Sequence, residues 1–106
     1  MSWTTKDVDF SDVCTSVEVL HVTAHNVYCE KERVEYSIDP NTGSITESTV
    51  CIKWGQRLMR ARLLSVNGAK VSVRVEMPPE GEVYVCVGVV CSVDSTKEYK
   101  IKCERV

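Results

Sequence analysis

The chain is poor in the residues that interrupt strands and has nothing long enough to cross a bilayer. It contains three prolines, five glycines and one phenylalanine among 106 residues. No apolar run approaches the roughly 20 residues that a spanning helix requires. No Cys-x-x-Cys pair occurs, which disfavours a zinc ribbon. There is no Gly-x-Ser-x-Gly, no glycine-rich loop ahead of a helix to cradle phosphate, and no carboxylate pair marked by its setting. An enzyme is therefore not expected, nor are a catalytic residue, a metal ligand, a cofactor or a small-molecule substrate. The most pointed absence is of acids: residues 48–75 contain none.

What is present is a folding composition. The content of 43 % apolar and 26 % charged residues is that of a soluble globular protein, and the length fits one domain over residues 1–106. The segment MSWTTKDVDFSDV carries acids where a secretory leader needs a basic flank and an apolar stretch. An intracellular, soluble protein is the expectation.

Period-2 patterning dominates. Residues 17–28 are crowded with β-branched side chains, 33–38 and 44–54 alternate, and Asp39-Pro40-Asn41-Thr42-Gly43 between them has the composition of a turn. Asn67-Gly68 predicts a two-residue hairpin loop joining 57–66 to 69–76. Residues 83–93 and 98–106 read as closing strands. A short helix is expected only at the N-terminus, where Phe10, Val13, Cys14 and Val17 follow helical spacing. About seven strands with frequent turns define an all-β class, either barrel or sandwich.

Six cysteines admit three readings. Intracellular free thiols are favoured, because such thiols stay reduced and pack as small apolar groups. Disulfides and a metal site remain open. His21, His25 and Cys29 are spaced four apart, but on a strand the two histidines lie about 13 Å from each other, too far to share an ion. Cys86 and Cys91 fall on opposite faces of a strand and cannot bond to one another.

The net charge of −2 is unevenly spread. Residues 1–47 hold nine acids and three bases, giving −6; residues 48–75 hold Lys53, Arg57, Arg60, Arg62, Lys70 and Arg74, giving +6. A loop at Asn67-Gly68 would place Arg62 opposite Val73 and Arg60 opposite Val75, with Lys70 and Arg74 on the reverse face. Trp54 alternates with Val50 and Ile52, a pattern more common in a core than on a platform.

VEYSIDPNTGSI followed by VCIKW resembles the second and third strands of an OB-fold, similar to the single-stranded-DNA-binding subunits of replication protein A and the CST telomere-capping complex. The residues that carry this are Ile38, Asp39, Thr42, Gly43, Ile45 and Trp54. GEVYVCVGVV and EYKIKCERV resemble the last two strands, with Gly81 and Gly88 at glycine positions of that family. Residues 57–76 depart from the pattern, forming a hairpin where the family commonly has a helix. The resemblance implies a small OB-like β-barrel with an extra hairpin. It would be a nuclear subunit that binds single-stranded nucleic acid beside a larger protein partner and has no membrane contact. Tyr36 and Trp54 would stack on bases, and Lys53, Arg57, Arg60 and Arg62 would track phosphates. The alternative is an immunoglobulin-like β-sandwich, because Tyr84 precedes Cys86 at the spacing of a tyrosine corner. That reading implies a disulfide-stabilised adhesion, ligand-binding or viral structural protein.

Overall fold

A computed structural model describes residues 2–106. The chain is all-β: β1 (Ser2–Asp9), β2 (Ser16–Ile38), β3 (Ile45–Met59), β4 (Ala61–Asn67), β5 (Lys70–Met77), β6 (Glu82–Val93) and β7 (Thr96–Arg105). They form two antiparallel sheets, ordered β1-β5-β4 and β3-β2-β6-β7. The four-stranded sheet is curled into half a barrel, and the three-stranded sheet forms the second layer.

The core follows from valine at every second position. Val71, Val73 and Val75 of β5 are fully buried, as are Val85, Val87 and Val89 of β6. Val8, Phe10, Ala24 and Cys91 complete the cluster with their neighbours. Branching at Cβ suits the pleated surface, and each fully buried valine contributes roughly 1.5–2 kcal/mol.

Three expectations are corrected. The N-terminal helix expected over Phe10 to Val17 is absent: β1 pairs with β5 as far as Asp9↔Lys70, and β2 already pairs with β6 from Ser16↔Ser92 and Val17↔Cys91. The helical spacing survives as a single turn, in which the Phe10 carbonyl accepts from the Cys14 N–H at 2.8 Å and both side chains are buried. The runs 17–28 and 33–38 are one strand of 23 residues, because β3 continues to pair with it along its whole second half. The cysteines are not free thiols. All six are paired: Cys86 and Cys103 face each other in register, the irregularity at Lys31 brings Cys29 to 5.7 Å from Cys51 between Cα atoms, and the turn between β1 and β2 carries Cys14 to 5.6 Å from Cys91.

The β4–β5 hairpin also differs from its expected register. Asn67 pairs with Lys70, so Gly68 and Ala69 form the loop, with Gly68 at a φ of +62°. A bulge between Leu63 and Ser65 then shifts the remainder, placing Arg62 opposite Arg74 and Leu63 opposite Val73. Arg60 and Arg62 thus leave the apolar face that a bulge-free hairpin would give them.

Three aspartates brace the N-terminal segment. Their carboxyls are held below the ordinary value of 3.8: Asp7 chiefly by the Ser72 hydroxyl (2.6 Å), Asp9 by the Ser11 backbone N–H (2.9 Å) and Asp12 by the Lys102 ammonium (2.7 Å). A depressed folded-state value stabilises the fold above the unfolded value, and the contribution is lost as pH falls through the depressed ones. With respect to these groups the melting temperature is expected to be level above about pH 5 and to drop below about pH 4. Melting curves of the wild type and an Asp7→Asn/Asp12→Asn variant check this. Parallel acid profiles for the two proteins would contradict it.

Candidate binding arm and its root cleft

The pairing of β6 with β2 ends at Val27↔Glu82, whereas β2 and β3 stay paired out to Ile38↔Ile45. From Tyr28 onward the two strands form a ribbon of their own. At about 3.4 Å per residue it extends roughly 35 Å from the body. The molecule consequently measures 66 × 34 × 18 Å, with a radius of gyration of 19.9 Å. A compact chain of this length would have a radius of about 13 Å.

A lone two-stranded ribbon is marginal in water. Two devices hold this one. Cys29–Cys51 ties the strands at the root, where register shifts flank Lys31. At the tip, Asp39 accepts from the Asn41 N–H at 2.8 Å, and Gly43 at a φ of +75° donates its N–H to the Asp39 carbonyl at 2.8 Å. The expected turn at 39–43 is therefore present.

The arm is amphipathic. Val34, Tyr36 and Ile38 share one face with their partners Thr49, Glu47 and Ile45. The reverse face carries Arg33, Glu35 and Ser37 with Val50, Ser48 and Thr46. Tyr36, Ile38 and Ile45 are 66–68 % exposed, an unusual concentration of bare apolar surface on one ribbon.

At the arm's root lies an open cleft of about 320 Å³, lined by Val27, Tyr28, Glu32, Trp54, Glu80 and Glu82 among others. Trp54 is 68 % exposed and does not belong to the core. Glu82 pairs with Arg105 at 3.4 Å and accepts from the Tyr84 hydroxyl at 2.9 Å, which pushes that phenol above its usual range. Glu32 and Glu80 take part in no ion pair among the described residues. An exposed indole beside unpaired carboxylates suits a cationic group: the ring face and the carboxylates both attract positive charge.

The cleft wall is pinned from behind. Asn26 is buried, and its Nδ2 donates to the carbonyls of Glu80 (3.2 Å) and Glu82 (3.4 Å). Between them Gly81 has a φ of +90°, and a Cβ there would come within 2.7 Å of the Val27 carbonyl oxygen. Replacing Asn26 by leucine is expected to cost about 1–3 kcal/mol, because it strips both carbonyls of their donor. Chemical denaturation would measure this, and faster amide exchange at residues 80–82 is expected alongside. Unchanged exchange there would show that Asn26 does not hold the wall.

The six residues expected to form a nucleic-acid site are not brought together. Tyr36 lies on the arm. Lys53 and Trp54 lie at its root, with Lys53 paired to Glu30 at 3.1 Å. The Arg57 guanidinium sits 4.9 Å above the Tyr28 ring and donates to its hydroxyl at 3.4 Å, which pushes its pKa further up. Arg60 pairs with Glu76 at 3.5 Å on the three-stranded sheet. Arg62 stands opposite Arg74, whose guanidinium is 5.0 Å from the Trp3 ring. Sequence reasoning passed over Glu32, Glu80 and Tyr28. Their signal is an acid beside an aromatic in two distant segments, which means nothing until the fold joins them.

No family model matches the chain, and no match was found among curated proteins or solved structures. No helix among the described residues is long and apolar enough to cross a membrane.

Proposed function

We propose that this protein is a non-enzymatic, disulfide-stabilised β-module that binds another polypeptide through its arm, with a cationic side chain of that partner seated in the root cleft. The observation that carries the reading is the arm itself. A strand of 23 residues that keeps half its length outside the body leaves Tyr36, Ile38 and Ile45 in water. Such exposure stabilises nothing in the isolated chain and is accounted for by an interface. Three disulfides fit an oxidising compartment better than a nucleus.

Calorimetric titration with a short lysine- and arginine-rich peptide tests the reading. Saturable binding that weakens with salt is expected, because an exposed charged contact is screened. Glu32→Gln/Glu80→Gln should weaken it about tenfold or more, the scale of losing a charge-assisted contact. An absence of heat at low salt, or binding indifferent to the double substitution, would refute the cleft assignment.

A second reading, contact with single-stranded nucleic acid beside a protein partner, rests on one observation. The bulge in β4 collects Arg60, Arg62 and Arg74 on one side of the three-stranded sheet beside Trp3, with Glu76 as the acid paired among them. Like charges directly opposite each other cost stability, so the Arg62–Arg74 pair favours a polyanion as ligand. Affinity for an oligonucleotide would then fall steeply with salt.

A further inference from the structure

We infer that the polypeptide taken by the arm is a second copy of this chain, docked along its β4 edge. The inference rests on the arm being a binding element and adds the identity of what it binds.

β4 is an edge strand, hydrogen-bonded on one side to β5 and open on the other. Its Leu63, Leu64 and Val66 are 40–48 % exposed, and Leu58 just before it is 75 % exposed. An edge that is both open and apolar is a template for strand addition. The bulge at Leu64 twists it but leaves the row of leucines in water. On the reverse face from Leu63 and Val66, Arg62 and Arg74 stand opposite each other and have no ion-pair partner among the described residues.

The arm supplies the complement. Residues 33–50 contain Arg33 against Glu35, Asp39 and Glu47, so the arm's outer part carries 1 − 3 = −2. Arg33 is bonded to Glu35, which leaves Asp39 and Glu47 without an ion pair. Glu47 lies on the apolar face, directly opposite Tyr36. One ribbon face thus offers Val34, Tyr36, Ile38 and Ile45 with an acid among them, and the β4 edge offers Leu63 and Val66 on one side and two unpaired arginines on the other.

These two surfaces cannot meet within one chain. The strand from the arm's tip at Ile45 to Met59 is straight enough to give the molecule its 66 Å length, and β4 begins only two residues later. The tip and the β4 edge are therefore separated by roughly 14 residues of strand, about 45 Å. Between two copies the match is available at once. The charged part of that match is the arm's unpaired Asp39 and Glu47 against the unpaired Arg62 and Arg74 beside the edge. Because the contact joins different patches, it is heterologous and either closes into a small ring or propagates.

Sedimentation velocity on the fully oxidised chain, wild type and two variants, tests this. Ile38→Glu/Ile45→Glu disables the arm, and Leu64→Glu/Arg62→Glu disables the edge; circular dichroism and an intact-mass disulfide check confirm that both fold. The wild type should self-associate in a concentration- and salt-dependent manner. Each variant alone should be at least about tenfold weaker, as expected for loss of a central contact. Mixing the two variants should restore a 1:1 complex, since one keeps its edge and the other its arm. A wild type that stays monomeric up to about 1 mM, the weak limit of specific association, would overturn the inference. So would single variants that associate as well as the wild type, or a mixture that fails to pair. The basic-peptide titration is independent of these results: a monomer that still binds the peptide through Glu32 and Glu80 loses the second copy as partner but keeps the arm and cleft as a binding element.

Discussion

Removing the Cys14–Cys91 bond by replacing both cysteines with alanine is expected to cost about 4.5 kcal/mol, the largest effect of the three disulfides. The bond joins residues 77 apart, against 22 for Cys29–Cys51 and 17 for Cys86–Cys103. In the chain-entropy model a longer closed loop removes more freedom from the unfolded ensemble, giving about 3.4 and about 3.1 kcal/mol for the shorter two. Position reinforces the ranking. Cys91 is fully buried and Cys14 nearly so, whereas the other two pairs lie toward the surface. A small domain has only about 5–15 kcal/mol in total, so this one bond carries a large share. The melting temperature should fall by roughly 15–30 °C. Differential scanning calorimetry of the three alanine pairs would check both size and order. A loss under about 1 kcal/mol, or one smaller than that of the Cys86/Cys103 pair, would contradict the ranking.

Phe10→Ala is the second large effect, with an expected loss of about 3–5 kcal/mol. Phe10 is the only phenylalanine and has no exposed surface. Valine supplies most of the remaining core, and no valine can fill an aromatic volume. The residue also anchors the link between β1 and β2. Its N–H donates to the Ala69 carbonyl at 2.8 Å, its carbonyl accepts from Val13 and Cys14, and the Lys102 ammonium lies 5.4 Å from the ring. Truncation leaves those backbone bonds in place around a cavity, which is why the cost exceeds that of transfer alone. Phe10→Leu, which keeps most of the volume, should cost clearly less. Urea denaturation gives the comparison through the midpoint at unchanged slope. Equal losses for Ala and Leu would show that the site does not depend on filled volume.

Most of the fold could be read from the chain because alternation is a local signal. Val71, Val73 and Val75, and then Val83 to Val89, announce buried strands without help from elsewhere. The turns at Asp39–Gly43 and near Asn67-Gly68 were legible for the same reason: their φ requirements are met by particular residues. What failed was non-local. Helical spacing at Phe10 and Cys14 is satisfied equally by one turn between two strands, and only the pairing of β1 with β5 and of β2 with β6 decides between them. The bulge at Leu64 reverses the faces of Arg60 and Arg62, and nothing in RLMRARLLSV marks it. The cysteine pairing depends on which strands are neighbours, so the choice between thiol and disulfide had to come from an assumed compartment.

The arm was half legible. Its alternation and turn were visible, but a ribbon that leaves the body has the same local pattern as one that stays. Trp54 shows the consequence. Its alternation with Val50 and Ile52 suggests a core position, yet no layer covers it, because β6 has already ended its pairing at Val27. The root cleft was not legible at all, since Glu32 and Glu80 are 48 residues apart and meet only through Asn26 and Gly81.

The central claim, that this molecule recognises positive charge at the arm's root, is tested most directly by the emission of Trp54 in a Trp3→Phe background, which leaves it as the sole indole. Two ligands of similar length and opposite charge are titrated in turn, a basic peptide and a single-stranded oligonucleotide. Saturable quenching or shift by the peptide, reversed by salt and absent with the oligonucleotide, is the predicted result. A response to the oligonucleotide alone would contradict the account and return the arginines to the centre of the function.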